Sequence, residues 1–278
     1  MERVLPTTAS THSISVLIPT RKRPAKLHRS IASVIERADD PSGLQILIGH
    51  DNDDDETKNY IAGQLADYLK TWNVDCHSFS FERMGYAKLN EYYNYMALYA
   101  ACDWFLCWGD DSEIVSQGWD TKIRNYNGQF KLLAFDTHNH HPYSIFPVVP
   151  RDWVTCLGKF ARHQMIDADV SQIAYLLDIM ERTDIKADHN RFDLVGEQPD
   201  ETYQQRQLFE GKPNDSRDLN HADSVQWRYM AAERLAWYLN LRGINTDFWT
   251  GVKLGTQDPW LRMKENDINN QTVSTVTA

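Results

Sequence analysis

The sequence predicts an α/β fold built around a sheet of parallel strands. Short apolar runs rich in β-branched and aromatic residues alternate with segments whose apolar residues recur at helical spacing. Strands that alternate with helices in this way pair in parallel through βαβ connections. With 278 residues, 42% of them hydrophobic, the chain can bury the core of one large domain or of two small ones. We therefore expect an architecture of the nucleotide-binding type.

The first 108 residues carry the clearest signals. The run 14–18 is β-branched and ends at Pro19-Thr20, which is typical of a buried first strand. Apolar residues at helical spacing then predict a helix whose buried face includes Leu27 and Ile31. The predicted strands cover 14–18, 44–49, 74–81 and 104–108, and the predicted helices lie around 27–35, 61–69 and 89–99.

The second half of the chain is less regular. Residues 186–223 form a polar stretch that is too long for a passive connection. The last predicted helix, 224–241, would be capped by Asp223 or Ser224 and ended by Gly243. The predicted strands cover 131–135 and 144–149, and the predicted helices cover 170–180 and 224–241.

Composition and missing motifs argue against several classes of protein. No apolar run approaches the roughly 18–20 residues that span a bilayer, and residues 1–12 lack the apolar stretch of a secretory signal. The four cysteines include no C-x-x-C pair, which indicates free thiols in a reducing cytosol rather than a zinc site or disulfides. The net charge of −10 argues against broad nucleic-acid binding. No Rossmann or P-loop glycine fingerprint is present. We expect a cytoplasmic protein without membrane attachment.

Residues 104–111 are the most informative stretch. Their apolar run stops abruptly at two adjacent carboxylates, Asp110 and Asp111. In open α/β sheets the ligand crevice lies outside the carboxyl ends of the strands. Carboxylates there suit Mg²⁺ or Mn²⁺, which prefer oxygen ligands and often bridge to substrate phosphates. Gly-Asp is also common turn chemistry, so the motif alone leaves an Asp-rich turn as the alternative.

Residues 12–115 resemble the nucleotide half of a family-2-type glycosyltransferase with the GT-A fold. The order and spacing of three elements together carry this resemblance. They are the strand ending in Pro19-Thr20-Arg21, the strand and acidic loop of 46–57 with its closing Asp55-Glu56-Thr57, and the residues Gly85, Lys88 and Asn90 ahead of the helix that leads to Asp110-Asp111.

The resemblance implies one GT-A domain over residues 1–278, with a Rossmann-like mixed sheet flanked by helices. The nucleotide-binding half would cover 12–115, an irregular acceptor half 116–255 and a C-terminal tail 256–278. The resemblance also implies a metal-dependent, inverting transfer of a hexose or pentose from a nucleotide-diphospho-sugar to an acceptor hydroxyl, with Mn²⁺ or Mg²⁺ as cofactor. The implied nucleotide-binding residues are Pro19, Thr20, Arg21, Asp51, Lys88, Asn90 and Asp110.

Two carboxylate positions decide the details of this prediction. The family's D-x-D position reads Gly109-Asp110-Asp111, so its first carboxylate is missing. By alignment Asp111 is the expected metal ligand, and Asp110 would hold sugar hydroxyls or a metal-bound water. Asp51 can accept a hydrogen bond from the N–H of uracil, which favours a UDP-sugar. We expect Asp53 and Asp54 to belong to a solvated acidic loop.

The second half yields a candidate base and a further metal ligand. Asp167 precedes a helix as the catalytic base does in inverting relatives, and it would take a proton from the acceptor hydroxyl. Asp169 would face elsewhere, as a cap or as an acceptor contact. His189 resembles a late histidine that completes the metal site, with His221 as its rival. The cluster of His138, His140 and His141 is expected to line the acceptor.

Several functions stay open at the level of sequence. The acceptor can be a glycan, a small molecule or a hydroxymethylated base in phage DNA, although the acidic charge counts modestly against DNA. One alternative is a non-catalytic domain that binds a sugar nucleotide or glycan, suggested by the shortened D-x-D. The other is a nucleotidyltransferase, which would require a glycine-rich basic first loop that this chain lacks.

Overall fold

One mixed sheet organises the part of the chain that the structure, a computed structural model, describes. That part comprises residues 13–137, 141–190, 196, 198, 201–208, 212, 214–246 and 248. Its eight strands lie in the order β3-β2-β1-β4-β7-β6-β8-β5. The strands are β1 Ile14–Thr20, β2 Leu44–Asp51, β3 Asp75–Phe81, β4 Trp104–Cys107, β5 Ser112–Ile114, β6 Leu132–Thr137, β7 Val148–Pro150 and β8 Met180–His189.

Helices connect and cover these strands. The helices of the described ranges are α1 Pro24–Glu36, α2 Asp55–Tyr60, α3 Ala66–Trp72, α4 Leu89–Tyr99, α5 Trp119–Arg124, α6 Arg151–Leu157, α7 Ile166–Leu176, α8 Glu201–Arg206 and α9 Ala222–Leu241. A π-helical turn, Ile61–Leu65, joins α2 to α3, and 3₁₀ turns lie at Pro41–Gly43 and Tyr86–Lys88. None of these helices is both long enough and apolar enough to cross a membrane.

The central strands of the sheet are buried on both faces, because they send alternate side chains into two hydrophobic clusters. In β1, Val16 and Ile18 join the cluster that α1 covers, whereas Leu17 joins the cluster that α4, α7 and α9 cover. All three side chains are completely buried. A continuous apolar strand flanked by helices on both faces is the expected pattern for a parallel sheet.

The four strands of the nucleotide half run parallel, so their carboxyl ends meet at one edge. β1 pairs in parallel with both β2 and β4, and β2 pairs in parallel with β3. Pairing with strands of the second half makes the sheet mixed, since β7 runs antiparallel to β4 and β6, and β8 runs antiparallel to β5, a short strand at the end of the nucleotide half. The mixed α/β architecture predicted from the sequence is confirmed.

The strand β8 was missed because it alternates between buried and charged residues. Ile185 and Ala187 are buried, whereas Lys186 and Asp188, which alternate with them, are exposed. The polar stretch predicted from residue 186 onwards therefore begins inside a strand that has one solvated face, a common pattern outside purely parallel sheets.

Several predicted boundaries in the second half are wrong. The helix predicted over 170–180 is α7, which ends earlier because Asp178 adopts a left-handed conformation with φ of 55°. The strand predicted over 144–149 is the shorter β7; Ser144 instead donates its N–H to Ser171 Oγ (2.9 Å).

The start of α9 also differs from the prediction, whereas its end does not. The N-cap is His221, whose ring accepts a hydrogen bond from the N–H of Asp223 (3.3 Å), and neither Asp223 nor Ser224 is the cap. Gly243 follows the helix with φ of 76°, as a terminating glycine should.

Candidate active site

A cavity of about 250 Å³ lies at the carboxyl ends of β1, β2 and β4. Parallel strands deliver their terminal polar residues to this edge, and the second half of the chain closes the opposite side. Of the residues predicted to form the site, the cavity is lined by Pro19, Thr20, Arg21, Asp51, Asp110, Asp111, Asp167 and His189.

The backbone that leads to the two carboxylates is anchored on both sides. Tyr93 of α4 donates its hydroxyl hydrogen to the carbonyl of Trp108 (2.9 Å), and Ser30 of α1 donates to the carbonyl of Gly109 (2.8 Å). Trp108 itself is completely buried. The buried aromatic run thus ends in a rigid segment, which places Asp110 and Asp111 at the cavity wall.

Gly109 permits the close approach of the Asp111 and Ser112 side chains that follow it. A Cβ atom at this position would lie 2.8 Å from Asp111 Oδ1 and 2.9 Å from Ser112 Oγ. A residue with a side chain, including the aspartate that resembles the family pattern, would displace the Asp111 carboxylate from this position. The position that Asp111 adopts therefore depends on the absence of a side chain at residue 109, where the family pattern has its first carboxylate.

Asp110 joins the ends of β1 and β4. It is 5% exposed; its Oδ2 accepts from Thr20 Oγ1 (2.8 Å) and its Oδ1 accepts from Arg23 (2.9 Å). Burial raises the pKa of Asp110, and the charge of Arg23 only partly opposes that rise. Both carboxylate oxygens of Asp110 thus have partners within the protein, and the side chain links the ends of the two strands.

Asp111 stands beside His189, because β5 and β8 pair in the register that places Ser112 opposite His189. His189 Nε2 lies 3.4 Å from Asp111 Oδ1, and Arg23 lies 4.0 Å from the other oxygen. Burial acts to raise the pKa of Asp111, but the hydrogen bond and charge of His189, together with Arg23, outweigh it and lower the pKa. Asp111 is thus held as the carboxylate anion.

The structure also gives the positions of His221, the rival of His189, and of one member of the predicted histidine cluster. His221 caps α9 and is not among the residues that line the cavity. The ring of His141 packs against that of Tyr143 at a tilted angle, with the centroids 4.9 Å apart, and His141 does not line the cavity either. His138 and His140 lie outside the described residues.

Asp167 lies in the first turn of α7 and faces the cavity. Its Oδ1 accepts the N–H of Ala168 (2.9 Å). Desolvation raises the pKa of Asp167, although that hydrogen bond and the charges of Arg206, His189 and His141 act in the opposite direction. A carboxylate with a raised pKa in a cavity has the character of a general base.

Asp169 points away from the cavity and is completely buried. Its Oδ2 accepts the backbone N–H groups of Arg162 (3.0 Å) and His163 (3.2 Å), and Oδ1 lies 3.8 Å from the Arg228 guanidinium of α9. These bonds hold the turn before α7, whose N-cap position is Met165, so Asp169 is not the helix cap, one of the two roles predicted for it. The other, acceptor binding, is wrong because no part of the side chain is accessible.

Asp51 and Arg21 bind each other as well as facing the cavity. Arg21 donates to Asp51 Oδ2 (2.8 Å) and forms a two-point ion pair with Asp53, while the Tyr92 hydroxyl donates to Asp51 Oδ1. The hydrogen bond to Asp53 is the largest cause of the raised pKa of Arg21. The guanidinium of Arg21, which the resemblance implies to be nucleotide-binding, is therefore already paired with two carboxylates.

The prediction that Asp54 belongs to a solvated acidic loop is wrong. This residue is 2% exposed and caps α2, accepting the N–H of Thr57 (3.1 Å) and the N–H of Lys22 (2.5 Å). Asp53 is half exposed, but it pairs with Arg21.

Lys88 and Asn90 are not brought to the cavity. Asn90 is 5% exposed, and its amide donates to the carbonyl of Arg162 (2.8 Å) and to Glu91 (3.0 Å). The amide joins α4 to the loop before α7, so it is committed to the fold. Lys88 ends the 3₁₀ turn and is not among the lining residues.

Cationic side chains around the cavity were not identified as site residues from the sequence. Arg23, Arg83 and Arg206 line it together with Arg21. Arg23 belongs to a basic segment that reads as surface charge, and Arg206 lies in the polar stretch where no local pattern marks it. Four guanidinium groups suit an anionic ligand, since arginine matches the geometry of phosphate oxygens.

The described residues supply a partial rather than a complete metal site. No group of three or more His, Cys, Asp or Glu side chains among them is arranged to hold an ion. Asp111 and His189 offer one oxygen and one nitrogen donor side by side. This set fits an ion that takes its other ligands from substrate phosphates and water, as Mg²⁺ and Mn²⁺ commonly do.

Solved structures with a similar fold are glycosyltransferases. The mannosyltransferase PcManGT from Pyrobaculum calidifontis, in complex with GDP-Man and Mn²⁺, has a TM-score of 0.52 at 11% identity, covering 96% of this chain and 89% of that chain. S. aureus TarS 1-349 in complex with UDP-GlcNAc has a TM-score of 0.50 at 14% identity, covering 92% and 80%. The UDP complex of TarS 1-349 has a TM-score of 0.49 at 11% identity; that match covers 63% of this chain and 60% of that chain, under two thirds of its length.

These likenesses define the fold as that of the GT-A-type glycosyltransferases, which confirms at this level the class predicted from the sequence. No protein-family model and no curated protein sequence matches the chain.

Proposed function

We propose that this protein is a glycosyltransferase that moves a sugar from a nucleotide-diphospho-sugar to an acceptor hydroxyl with the help of Mn²⁺ or Mg²⁺. One observation carries the proposal. Within a GT-A fold, the strand-end pair Asp111 and His189 shares a cavity with Asp167, a carboxylate whose pKa burial raises. An anionic metal ligand and a separate base are the two groups that such a transfer requires.

The proposed donor is a UDP-sugar. The solved neighbours contain UDP-GlcNAc in TarS and GDP-Man in PcManGT, so the fold admits more than one base. Support for uracil comes from Asp51, whose carboxylate is oriented by Arg21 and Tyr92. Each carboxylate oxygen can accept a second hydrogen bond, which leaves room for the single N–H of uracil.

Asp111 and His189 would hold the divalent ion, which supplies positive charge to the departing diphosphate when it is bound. Arg23 braces Asp110 and lies close to Asp111, so it adds positive charge at the same end of the cavity. The other lining arginines act in the same direction.

Asp167 would accept the proton of the acceptor hydroxyl. As the acceptor oxygen forms its bond to the anomeric carbon, the bond from that carbon to the phosphate oxygen breaks and the nucleoside diphosphate leaves. Attack from the side opposite the leaving group inverts the anomeric centre. The acceptor is proposed only as a hydroxyl compound, such as a glycan, a small molecule or a hydroxymethylated base.

The proposal is tested by measuring release of UDP from UDP-sugars by the purified protein, with Mn²⁺, with Mg²⁺ and with chelator. We expect slow hydrolysis of one UDP-sugar that requires the ion and speeds up when the right acceptor is added. The non-catalytic alternative predicts that the sugar nucleotide binds but that no UDP is released under any condition.

A further inference from the structure

The outer face of α9 carries an exposed apolar stripe. Met230, Trp237 and Leu241 are 55%, 61% and 65% exposed, and their spacing of seven and four residues places them on one side of the helix. The opposite side, which includes Leu235 and Leu239, is completely buried in the core that α9 shares with α6 and α7. The solvent side of a surface helix normally carries polar residues, and exposed apolar patches mark interaction sites.

The charges within this stripe have the symmetry of an antiparallel helix pair. Glu233 and Arg234 are both exposed and lie midway between Met230 and Trp237. When two copies of the helix pack antiparallel about a two-fold axis between residues 233 and 234, positions equidistant from the axis face each other. At the centre of the pair, Glu233 of each copy then faces Arg234 of the other copy. On either side of the centre, Met230 of one copy faces Trp237 of the other.

Such self-complementarity is what a two-fold interface demands, because the same patch must recognise itself. Opposite charges at the centre fix the register and the antiparallel direction, and the apolar pairs flank them on both sides. Arg234 also contacts the thiol of Cys156 on the neighbouring helix; this contact lies within one copy, and the side chain stays exposed.

We propose that the protein forms a homodimer through the outer face of α9. No residue that lines the cavity belongs to this helix, so the pairing leaves the candidate active site open and does not depend on the proposed activity. A single helix pair buries an area at the low end for specific complexes, below about 1,200 Å². The dimer should therefore be weak and concentration-dependent.

Sedimentation velocity over a series of protein concentrations tests the proposal. The wild-type chain should approach twice the monomer mass at high concentration. Trp237→Ser and Glu233→Arg should each weaken the association at least about tenfold, the former by removing an apolar anchor and the latter by opposing two arginines. The double variant Glu233→Arg with Arg234→Glu exchanges the two charges and should restore the dimer.

Leu98→Ser is the matched control, because Leu98 of α4 is also exposed, at 51%, but lies outside the stripe. It should leave the dimer unchanged. Thermal unfolding of each variant excludes loss of fold. A wild-type chain that stays monomeric at every concentration would overturn the proposal, and would point to residues 249–278 or a different protein as the occupant of the stripe. A dimer that survives Glu233→Arg, or that the double exchange does not restore, would equally overturn it.

Discussion

Adjacent carboxylates at the end of β4 do different work because their surroundings differ. Asp110 is closed in by Thr20 and Arg23, and burial raises its pKa, whereas His189 holds Asp111 as the anion. The two residue types are identical in the sequence, where only the resemblance gives them different roles, and in the structure their neighbours Thr20, Arg23 and His189 make their surroundings different. At the residue scale, Asp111 is therefore the more informative site for substitution.

Asp111→Asn is expected to leave the fold intact and to lower turnover by about 10²–10³-fold, because the developing charge on the leaving group loses its neutralising centre. Steady-state UDP release with saturating Mn²⁺ measures this loss. Glu113→Gln is the control: Glu113 lies two residues further on and accepts a hydrogen bond from Asn190 (2.9 Å), which a glutamine can preserve. Full activity of Asp111→Asn, or of the wild type in chelator, would rule out the metal-dependent mechanism.

Asp167→Asn is expected to abolish transfer while donor binding survives, a loss of about 10²–10⁴-fold for a general base. The same change should raise the melting temperature at neutral pH, because it removes a carboxylate whose ionisation burial opposes. Asp169→Asn should instead lower the melting temperature, since Asp169 is held by two N–H groups and lies beside Arg228. Normal turnover by Asp167→Asn would show that Asp167 is not the catalytic base.

The pH dependence of that stabilisation follows from the sign of the shift. The pKa of Asp167 in the folded protein is raised above the value of about 3.9 for an unfolded aspartate. The folded state is therefore penalised once the group ionises, and the penalty is complete above the folded pKa. The advantage of Asp167→Asn in melting temperature should grow as the pH rises towards the folded pKa, and it should disappear below about pH 4. An advantage that does not change with pH would contradict this origin.

At the element scale, α8 joins the two halves of the cavity wall. Gln205 Oε1 accepts the N–H of Tyr86 at the start of the 3₁₀ turn (2.9 Å), and Arg206 beside it lines the cavity. This contact spans 119 residues of sequence. It holds a short helix from the acceptor half against the nucleotide half.

Gln205→Ala should loosen this contact and raise the KM for the donor by up to about tenfold, with a smaller effect on kcat, because one neutral hydrogen bond contributes about 0.5–1.5 kcal/mol. Initial-rate kinetics at several donor concentrations separate the two parameters. Gln207→Ala is the control, since Gln207 is a neighbouring, exposed glutamine. Equal kinetics for the two variants would show that α8 does not position the donor.

Elements that are continuous in sequence were predictable, and contacts between distant elements were not. The buried runs of β1, β2 and β4 and the helix α4 follow from local periodicity, and with them the placement of Asp51, Asp110 and Asp111 at one sheet edge. Lys88 and Asn90 were misplaced because sequence order does not reveal that Asn90 is bound by the carbonyl of Arg162, 72 residues away.

The same limit applies to the second half. Its short strands pair out of sequence order, so β8 lies between β6 and β5 and brings His189 to Asp111. No local pattern encodes that pairing. The histidine was proposed from a resemblance alone. Three of the arginines around the cavity, Arg23, Arg83 and Arg206, were not found at all, because their proximity exists only after the whole sheet has formed.

At the scale of the whole molecule, the preference for one nucleotide over another depends on all of the site residues together. UDP should raise the melting temperature more than GDP, ADP or CDP at equal concentration, because at a given ligand concentration the ligand that binds the folded state more tightly stabilises it more. Uracil offers one ring N–H to the oriented Asp51 carboxylate, and cytosine lacks that N–H. Asp51→Asn should erase the difference among the nucleotides. Asp53→Asn is the control, since Asp53 pairs with the same Arg21 but does not line the cavity. Equal shifts for all four nucleotides, or a preference that persists in Asp51→Asn, would show that this carboxylate does not select the base.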